Sequence, residues 1–257
     1  MPRRITMPPE DPEALTEDLP QPPARSSRAM RPLNRALRRG WGWVRWLGLR
    51  LMALMFVLVL LFSFVNPPTS WTILQGQWEF PGRAERQWTD MDRISPHMAR
   101  ALVAAEDANF CAHWGFDMHE IRKVVASGSS RGASTITQQV AKNVFLWQGR
   151  SWPRKVMETV YTPMIEALWS KRRIAEVYLN LAEFGRGVFG VHAAAQYYFK
   201  TTPDKLSLAQ AAALASILPA PKTRNPQTGS ARTRSIMSGA QTIQADGRDS
   251  CLLLIPR

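Results

Sequence analysis

The chain has 257 residues, of which 33 are basic, 20 are acidic and two are cysteines. This length allows one sizeable domain with appendages. Two cysteines are too few for a disulfide-rich scaffold, and nothing in the spacing of Cys111 and Cys251 requires a bridge between them, so none is predicted. The formal net charge of +13 indicates an anionic partner, which could be nucleic acid, phospholipid or a phosphorylated substrate.

The first 46 residues are predicted to form a disordered, basic tail on the cytoplasmic side of a membrane. Residues 1–32 are rich in proline, arginine and acidic residues and poor in apolar ones. Such a segment cannot bury enough apolar surface to offset the entropy of the chain, so no fold is expected for it.

Residues 47–65 are predicted to be a single transmembrane helix. The segment is apolar apart from Arg50 and Ser63, and a helix of this length is roughly 28 Å long, about the thickness of a bilayer core. Residues 25–50 hold eight arginines, whereas the twenty residues after them hold none. This bias predicts a cytoplasmic N-terminus and an external domain. A cleaved signal peptide is the alternative, but no small-x-small cleavage site follows the apolar segment.

The external domain is assigned to residues 66–225 and is predicted to be all-α. Residues 66–93 are expected to be irregular because prolines and Gly82 interrupt them, and residues 118–131 are interpreted as a short basic connector. The remaining apolar patterns have a helical period. The predicted helices are 96–106, Ser134 or Thr135 to Leu146, 153–169, 171–183, 191–199 and 208–218.

Residues 226–257 are interpreted as an atypical C-terminal tail. They are rich in glycine, serine and threonine and show no apolar stripe at helical spacing. A frameshifted or truncated coding region would explain such an end, and this hypothesis questions the stability of the protein rather than its chemistry.

Acidic, amide, hydroxyl and cationic side chains are concentrated between residues 106 and 143, which suggests a polar cleft. Glu106 is expected at the C-terminal end of its helix, where the helix dipole and the neighbouring Asp107 both disfavour its negative charge. Both effects would raise its carboxyl pKa toward that of a useful general base. A solvated acidic helix end is the alternative interpretation. The next helix begins at Ser134 or Thr135, and its free N–H groups offer an anion site.

A third helix adds Arg154 and Glu158, which have the spacing of an ordinary intrahelical ion pair. With Glu106 and Lys142, neighbouring helices then carry two carboxylates and two cations. Paired carboxylates serve glycosidic chemistry, whereas cations become useful when the leaving group is a phosphate or pyrophosphate. The pattern predicts glycosyl transfer from a phosphate-activated sugar, and the membrane anchor favours a lipid-linked donor.

Motifs in this region resemble those of the peptidoglycan glycosyltransferases. In chain order they are Glu106-Asp107-x-x-Phe110-x-x-His113-x-Gly115-x-Asp117, Gly132-x-Ser134-Thr135-Ile136-Thr137-Gln138-Gln139-x-x-Lys142-Asn143, Arg154-Lys155-x-x-Glu158, Lys171-x-Arg173-Ile174-x-Glu176-x-Tyr178-Leu179-Asn180 and Gly185-x-Gly187-x-Phe189-Gly190-x-x-Ala193-Ala194. The resemblance covers roughly residues 71–225. No penicillin-binding transpeptidase domain follows, so the resemblance is to the monofunctional members of the family.

The resemblance implies a lysozyme-like α fold and processive polymerisation of lipid II into β-1,4-linked glycan, with release of undecaprenyl pyrophosphate, at the outer face of the bacterial inner membrane. Glu106 would take the proton of the acceptor 4-hydroxyl, and Glu158 would orient or assist as a second catalytic residue. The last two motifs are expected to be structural. The implied substrate-binding residues are Asp107, Ser134, Thr135, Gln138, Gln139, Lys142, Asn143, Arg154 and Lys155, among which Lys142 and Arg154 would neutralise the leaving pyrophosphate.

The resemblance implies no required cofactor. A divalent cation such as Mg²⁺ or Mn²⁺ aids some members, but no ligand cluster in the sequence demands one. The expected partners are lipid II, the growing glycan strand, the membrane and other cell-wall synthesis proteins, and nucleic acid is not expected. Two alternatives stay open: a lytic enzyme of the same fold that cleaves glycan, and a membrane scaffold whose basic surface binds anionic lipid.

Overall fold

The computed structural model of the chain describes residues 30–82, 86–128, 132–149 and 151–253. The first helix, α1, runs from Met30 to Phe64. Its segment Gly40–Phe64 has a mean hydropathy of 2.4 and is long and apolar enough to cross a membrane. The chain divides into two compact units between Leu51 and Met52, inside this helix.

α1 begins well before residue 47, where the sequence predicts the transmembrane segment to start. The predicted disorder of residues 1–29 falls outside the described residues, but the prediction is wrong for residues 30–46, which are helical. Five of these residues are arginines, which have high helix propensity, so the helix continues N-terminally from its apolar part.

The second unit is mainly helical, which confirms the predicted all-α class. The described residues also include one short hairpin, in which β1 and β2 pair in antiparallel fashion. The helices and strands are α2 (Trp71–Glu79), α3 (Pro96–Glu106), α4 (Met118–Ser127), α5 (Ile136–Phe145), α6 (Trp152–Leu168), α7 (Lys171–Leu181), β1 (Glu183–Gly185), β2 (Val188–Phe189), α8 (Gly190–Phe199), α9 (Leu208–Ile217) and α10 (Ala231–Ala245), with short 3₁₀ turns at Met91–Arg93, Pro203–Lys205 and Ser250–Leu252.

Polar caps set several helix starts that the sequence predicts. Thr135 and Ser207 begin α5 and α9 with reciprocal capping boxes. In each box the cap hydroxyl accepts the backbone N–H three residues later, and the glutamine at that position accepts the N–H of the cap residue. Ser170 caps α7 with its hydroxyl in the same way, without the reciprocal bond.

Two helices occupy segments that the sequence predicts to be irregular. α2 lies within residues 66–93, where Ser70 caps it and Ile73 is buried. α4 lies where the sequence predicts a basic connector. The side chain of Asp117 caps its first turn, and Gly128, whose φ is +59°, follows its last residue. Neither helix buries a long apolar stripe, because α2 buries only Ile73 and Gly76 and no residue of α4 is buried.

α7 also ends earlier than predicted, at Leu181 instead of residue 183, because the chain turns into the hairpin. Gly190 follows the hairpin with a φ of +82°, and a Cβ at this position would lie 2.8 Å from the carbonyl oxygen of Asn180. A residue without a side chain therefore lets α8 start directly against α7.

α9 lies at the centre of the core, and its residues 211–215 are buried. α3 and α10 pack on α9 and on each other, whereas α5 packs on α6 and α7. Small alanine side chains on α9 let the neighbouring helices approach closely. This packing leaves the C-terminal end of α3 beside α5.

The C-terminal segment is folded, so the prediction of a tail without a helix is wrong. α10 has Ser230 as its N-cap and packs on α3 and α9. Its buried residues do repeat at helical spacing, but half of them are small or polar, so the stripe is weak in the sequence. The buried residues are Thr233, Ile236, Ala240 and Ile243.

Cys111 and Cys251 form a disulfide, which the sequence does not predict. They are 140 residues apart, and the folding of the C-terminal segment brings them together. Beside the bridge, Asp249 accepts a hydrogen bond from Arg100 at 2.6 Å within a largely buried ion pair. These contacts tie the C-terminal segment to α3 and to the loop that follows it.

The last turns of α1 belong to the second unit. Met55 and Val59 are buried, and the indole N–H of Trp169 donates to the carbonyl oxygen of Val59 at 2.7 Å. Arg173 donates to the carbonyl oxygen of Val65 at 3.0 Å, which satisfies an acceptor at the helix end. The part of α1 from Met52 onward therefore packs within the second unit.

Candidate active site

Glu106 is the last residue of α3 and faces α5. Its Oε2 accepts a hydrogen bond from Nε2 of Gln139 at 2.8 Å. Its Oε1 is buried and has no hydrogen-bond partner within the described parts of the chain. One carboxylate oxygen is thus held in place, while the other is available to accept a proton.

The environment of Glu106 raises its carboxyl pKa above the ordinary value of 4.5, and burial is the main cause. The negative charge of Asp107 adds to this rise, while the hydrogen bond from Gln139 and the positive charges of Arg232 and Lys142 oppose it. The predicted direction of the pKa shift is confirmed. Its leading cause is burial, which could not be seen before the fold was known.

Asp107 occupies the anion site that the sequence predicts at the N-terminus of α5. Its Oδ2 accepts the backbone N–H of Ile136 at 3.0 Å, and its Oδ1 lies 2.8 Å from Nε2 of His113. A carboxylate at a helix N-terminus interacts favourably with the helix dipole. Asp107 therefore joins α5 to the end of α3, and its polar atoms are engaged within the protein.

Thr135 and Gln138 are also engaged in holding the start of α5. They form its capping box, and the hydroxyl of Thr135 donates to the carbonyl oxygen of Gly115 at 2.7 Å. Both side chains are buried. Ser134, by contrast, is exposed and lines a cleft that Glu106 also lines. Of these three predicted substrate-binding residues, Ser134 is the one placed to contact a ligand directly.

The loop after Glu106 contains a compact group of possible metal ligands, formed by Asp107, His113 and Asp117. The oxygens of Asp117 accept from the backbone N–H of Glu120 and the side-chain amide of Asn109, both at 2.9 Å. The oxygens of Asp107 are engaged as described above. Each of these carboxylate oxygens has a hydrogen-bond partner within the protein, so the group holds the loop and the start of α5 together.

Lys142 lies on α5, one turn after Gln138, and is partly buried. Burial lowers the pKa of its ammonium group, and the positive charges of Arg154 and Lys155 lower it further, whereas Glu158 and Glu106 raise it. No other described residue forms a hydrogen bond or ion pair with its Nζ. Lys142 is therefore a cation between two acids whose donor hydrogens remain available to an anion.

Glu158 lies on the first half of α6, is 3% exposed and is held by cations on both oxygens. Arg154 donates to Oε2 at 2.6 Å, and Lys155 forms a short ion pair with Oε1. Arg154 also donates from Nε to the carbonyl oxygen of Gly149 at 2.7 Å. The predicted intrahelical pair of Arg154 and Glu158 is therefore confirmed, and Glu158 orients both cations.

Asn143 and Gln139 line a groove of about 350 Å³ together with Lys142. The groove continues past Tyr178 to the end of α9 and Lys222. Asn143 is placed to contact a ligand there. The side-chain amide of Gln139 instead bonds to Glu106 on one side and to Tyr178 on the other, so this predicted substrate-binding residue acts inside the protein.

Two residues near Glu106 are missing from the sequence-based set. Tyr178 belongs to a motif that is expected to be structural, yet its hydroxyl donates to Oε1 of Gln139 at 3.1 Å. Arg232 lies on α10, in the segment interpreted as an atypical tail, and its Nε donates to the carbonyl oxygen of Ser216 at 3.0 Å. No sequence pattern places either residue beside Glu106, because each belongs to a distant helix.

The site combines one proton acceptor with a separate group of cations. The carboxylate of Glu106 has a raised pKa and one available oxygen, as a general base needs. Lys142, Arg154 and Lys155 can neutralise charge that develops on a phosphate oxygen. Such a site can deprotonate a hydroxyl and stabilise an anionic leaving group in the same step.

Comparisons with known proteins agree with this chemistry. A sequence model of the family described as Transglycosylase matches residues 75–242, which includes most of α10. The chain is 46% identical over 235 residues to the biosynthetic peptidoglycan transglycosylase of Jannaschia sp. (strain CCS1), covering 88% of this chain and 98% of that protein. It is 45% identical over 200 residues to a protein of the same description from Yersinia pseudotuberculosis serotype I (strain IP32953), covering 74% and 83%. A frameshift before residue 242 is therefore not supported.

Proposed function

The chain belongs to the transglycosylase family of peptidoglycan-synthesising enzymes, and we propose that it polymerises lipid II into β-1,4-linked glycan with release of undecaprenyl pyrophosphate. The observation that carries this proposal is the state of Glu106. Its carboxylate is buried, has a raised pKa, and presents one oxygen without a partner among the described residues beside a cationic group on α5 and α6.

Glu106 acts on the acceptor sugar. Its Oε1 accepts the proton of the acceptor 4-hydroxyl while that oxygen attacks C1 of the donor sugar. Gln139 keeps Oε2 in place during this step. A carboxylate whose pKa is raised by burial holds the proton better than an exposed one, which favours the transfer. Glu106 then releases the proton to water before the next addition.

The cations on α5 and α6 act on the donor. As the new bond to C1 forms, the bond between C1 and the pyrophosphate oxygen breaks, and its electron pair stays on that oxygen. Lys142 and Arg154 neutralise the resulting charge, and Glu158 keeps Arg154 and Lys155 in position. Attack from the side opposite the leaving group inverts the configuration at C1.

The cationic group favours transfer over glycan cleavage. A cleaving enzyme of the same fold releases an alcohol, which a protonated carboxyl can neutralise without any cation. The described site has three cations around Glu158 and one acid, Glu106, that is available for proton transfer. This balance fits a pyrophosphate leaving group.

The membrane arrangement that we propose places the catalytic unit on the outer face of the bacterial inner membrane. The apolar part of α1 fits a single-pass anchor, and the arginines that precede it favour a cytoplasmic N-terminus. The disulfide supports this orientation independently, because disulfides persist in oxidising compartments. In this position the site meets lipid-linked substrate and the growing glycan strand.

Purified full-length chain in detergent, given labelled lipid II, tests the proposal. Glycan strands of many disaccharides and an equivalent amount of undecaprenyl pyrophosphate are expected, and the Glu106→Gln variant serves as the inactive control. Isolated sacculi are incubated in parallel. Cleavage of sacculi without turnover of lipid II would establish the lytic alternative, and activity on neither substrate would favour a scaffold.

A further inference from the structure

Tyr178 lies on α7 and is connected to Glu106 through Gln139. The tyrosine side chain is buried, with 3% of the residue exposed. Its hydroxyl lies 3.1 Å from Oε1 of Gln139, and Nε2 of the same amide lies 2.8 Å from Oε2 of Glu106. Two consecutive hydrogen bonds therefore connect α7 to the end of α3 across α5.

The orientation of the Gln139 side-chain amide decides whether these two hydrogen bonds can hold Glu106 in place. A glutamine amide can turn by 180°, which would point its oxygen at the carboxylate and repel it. A hydroxyl that donates to Oε1 favours the direction in which the amide nitrogen faces Glu106, because the turned amide would leave the phenol proton without this acceptor. Burial and the nearby charge of Glu106 raise the pKa of the Tyr178 phenol, so it keeps its proton and remains a donor.

We propose that Tyr178 is a positioning residue for the catalytic base: through Gln139 it holds Oε2 of Glu106 and leaves Oε1 directed at the acceptor hydroxyl. This inference rests on the proposed function. The effect of Tyr178 on Glu106 passes through the amide of Gln139. The fourth motif, expected to be structural, would then contribute one residue to catalysis.

The charged groups around Glu106 affect its carboxyl pKa independently of the two hydrogen bonds through Gln139. Lys142 on α5 and Arg232 on α10 lower the carboxyl pKa, and Asp107 in the following loop raises it. These charges stay in place when the hydroxyl of Tyr178 is removed. The hydrogen bond from Gln139 also lowers the pKa, so loosening that bond should move the pKa upward.

Tyr178→Phe in the full-length chain isolates the hydroxyl, because the ring that packs in the core is kept. We expect kcat on lipid II to fall about fivefold to tenfold, the rate equivalent of one hydrogen bond, with KM nearly unchanged. The acid limb of the pH–rate profile should move to higher pH. Tyr161→Phe is the matched control, since this buried tyrosine on α6 stacks on Phe145 and takes no part in the two hydrogen bonds that lead to Glu106.

A second variant separates positioning from general damage to the fold. Gln139→Ala should move the acid limb in the same direction, and adding Tyr178→Phe to it should have no further effect, because both act through one amide. An unshifted limb and a kcat within about twofold of wild type in Tyr178→Phe, or additive effects in the double variant, would overturn this inference alone. Wild-type chain that does not turn over lipid II would overturn the proposed function as well.

Discussion

Glu106 on α3 and Glu158 on α6 are both largely buried carboxylates, but different groups bond to their oxygens. Glu106 has one neutral donor, Gln139, and one oxygen without a partner among the described residues. Glu158 has a cation on each oxygen, Arg154 and Lys155. Burial raises the pKa of Glu106, whereas the charge of Glu158 is compensated on both sides. The comparison teaches that the donors around a buried carboxylate decide whether one of its oxygens remains open to a substrate hydroxyl.

Different interactions stabilise the loop after Glu106 and the start of α6 around Glu158. The loop after Glu106 is held by Asp107, which accepts the backbone N–H of Ile136 at the start of α5, and by the disulfide between Cys111 and Cys251. The start of α6 around Glu158 is fixed by ion pairs within the helix. Substitutions in the two regions should therefore differ both in kinetics and in stability.

The largest effect is expected from Glu106→Gln. The amide keeps the size of the side chain but cannot accept the proton, so kcat should fall at least about a hundredfold, the size of a general-base contribution. Binding of lipid II should be retained, because the cations on α5 and α6 are untouched. Steady-state turnover and a lipid II binding assay on the full-length chain measure both quantities.

Glu79→Gln is the matched control for this variant, since Glu79 is exposed and lies 3.7 Å from Lys222 in a surface ion pair. Its turnover should equal that of wild type. If Glu106→Gln kept more than a tenth of the wild-type kcat, Glu106 would not be the base.

A smaller effect of a different kind is expected from Glu158→Gln. Arg154 and Lys155 lose the anion that orients them, so kcat/KM should fall about tenfold, the loss typical of a charge-assisted contact. The acid limb of the pH–rate profile should stay where it is in wild type. Steady-state kinetics over a range of pH, with Glu79→Gln again as control, checks both parts. Loss of the acid limb in this variant would assign the proton transfer to Glu158 and reverse the comparison.

The smallest effect on turnover is expected from removing the disulfide with Cys111→Ser and Cys251→Ser together. The bridge closes a loop across 140 residues, and its loss should lower the free energy of unfolding by about 4 kcal/mol. Thermal unfolding measures this change. Hydrogen exchange should increase in residues 107–117 near Glu106 but not in residues 152–168. Equal changes in the two segments would show that the bridge does not act locally.

Local sequence rules predict the framework of this site well. The proline at position 96 and the apolar period place Glu106 at a helix end, and Thr135, one of the two predicted caps, is the N-cap of α5. The intrahelical pair of Arg154 and Glu158 follows from spacing alone. These features depend on residues that are close in the chain.

Contacts between distant residues could not be predicted in the same way. Tyr178 and Gln139 are 39 residues apart, and the two cysteines are 140 apart. Half of the buried residues of α10 are small or polar, so the sequence does not predict this helix. The position of Arg232 near Glu106 could therefore not be predicted either. The fold also changes the roles of Thr135, Gln138 and Gln139, because their polar groups bond within the protein.

The pH dependence of kcat/KM for lipid II, compared between wild type and Glu106→Gln, tests the role of Glu106 most directly. The wild-type rate should fall as the pH drops through the carboxyl pKa of Glu106, which lies above 4.5, because the protonated carboxyl cannot accept the acceptor's proton. The residual rate of Glu106→Gln should lack this acid limb. An acid limb of the same apparent pKa in the variant would contradict the assignment of Glu106 as the general base.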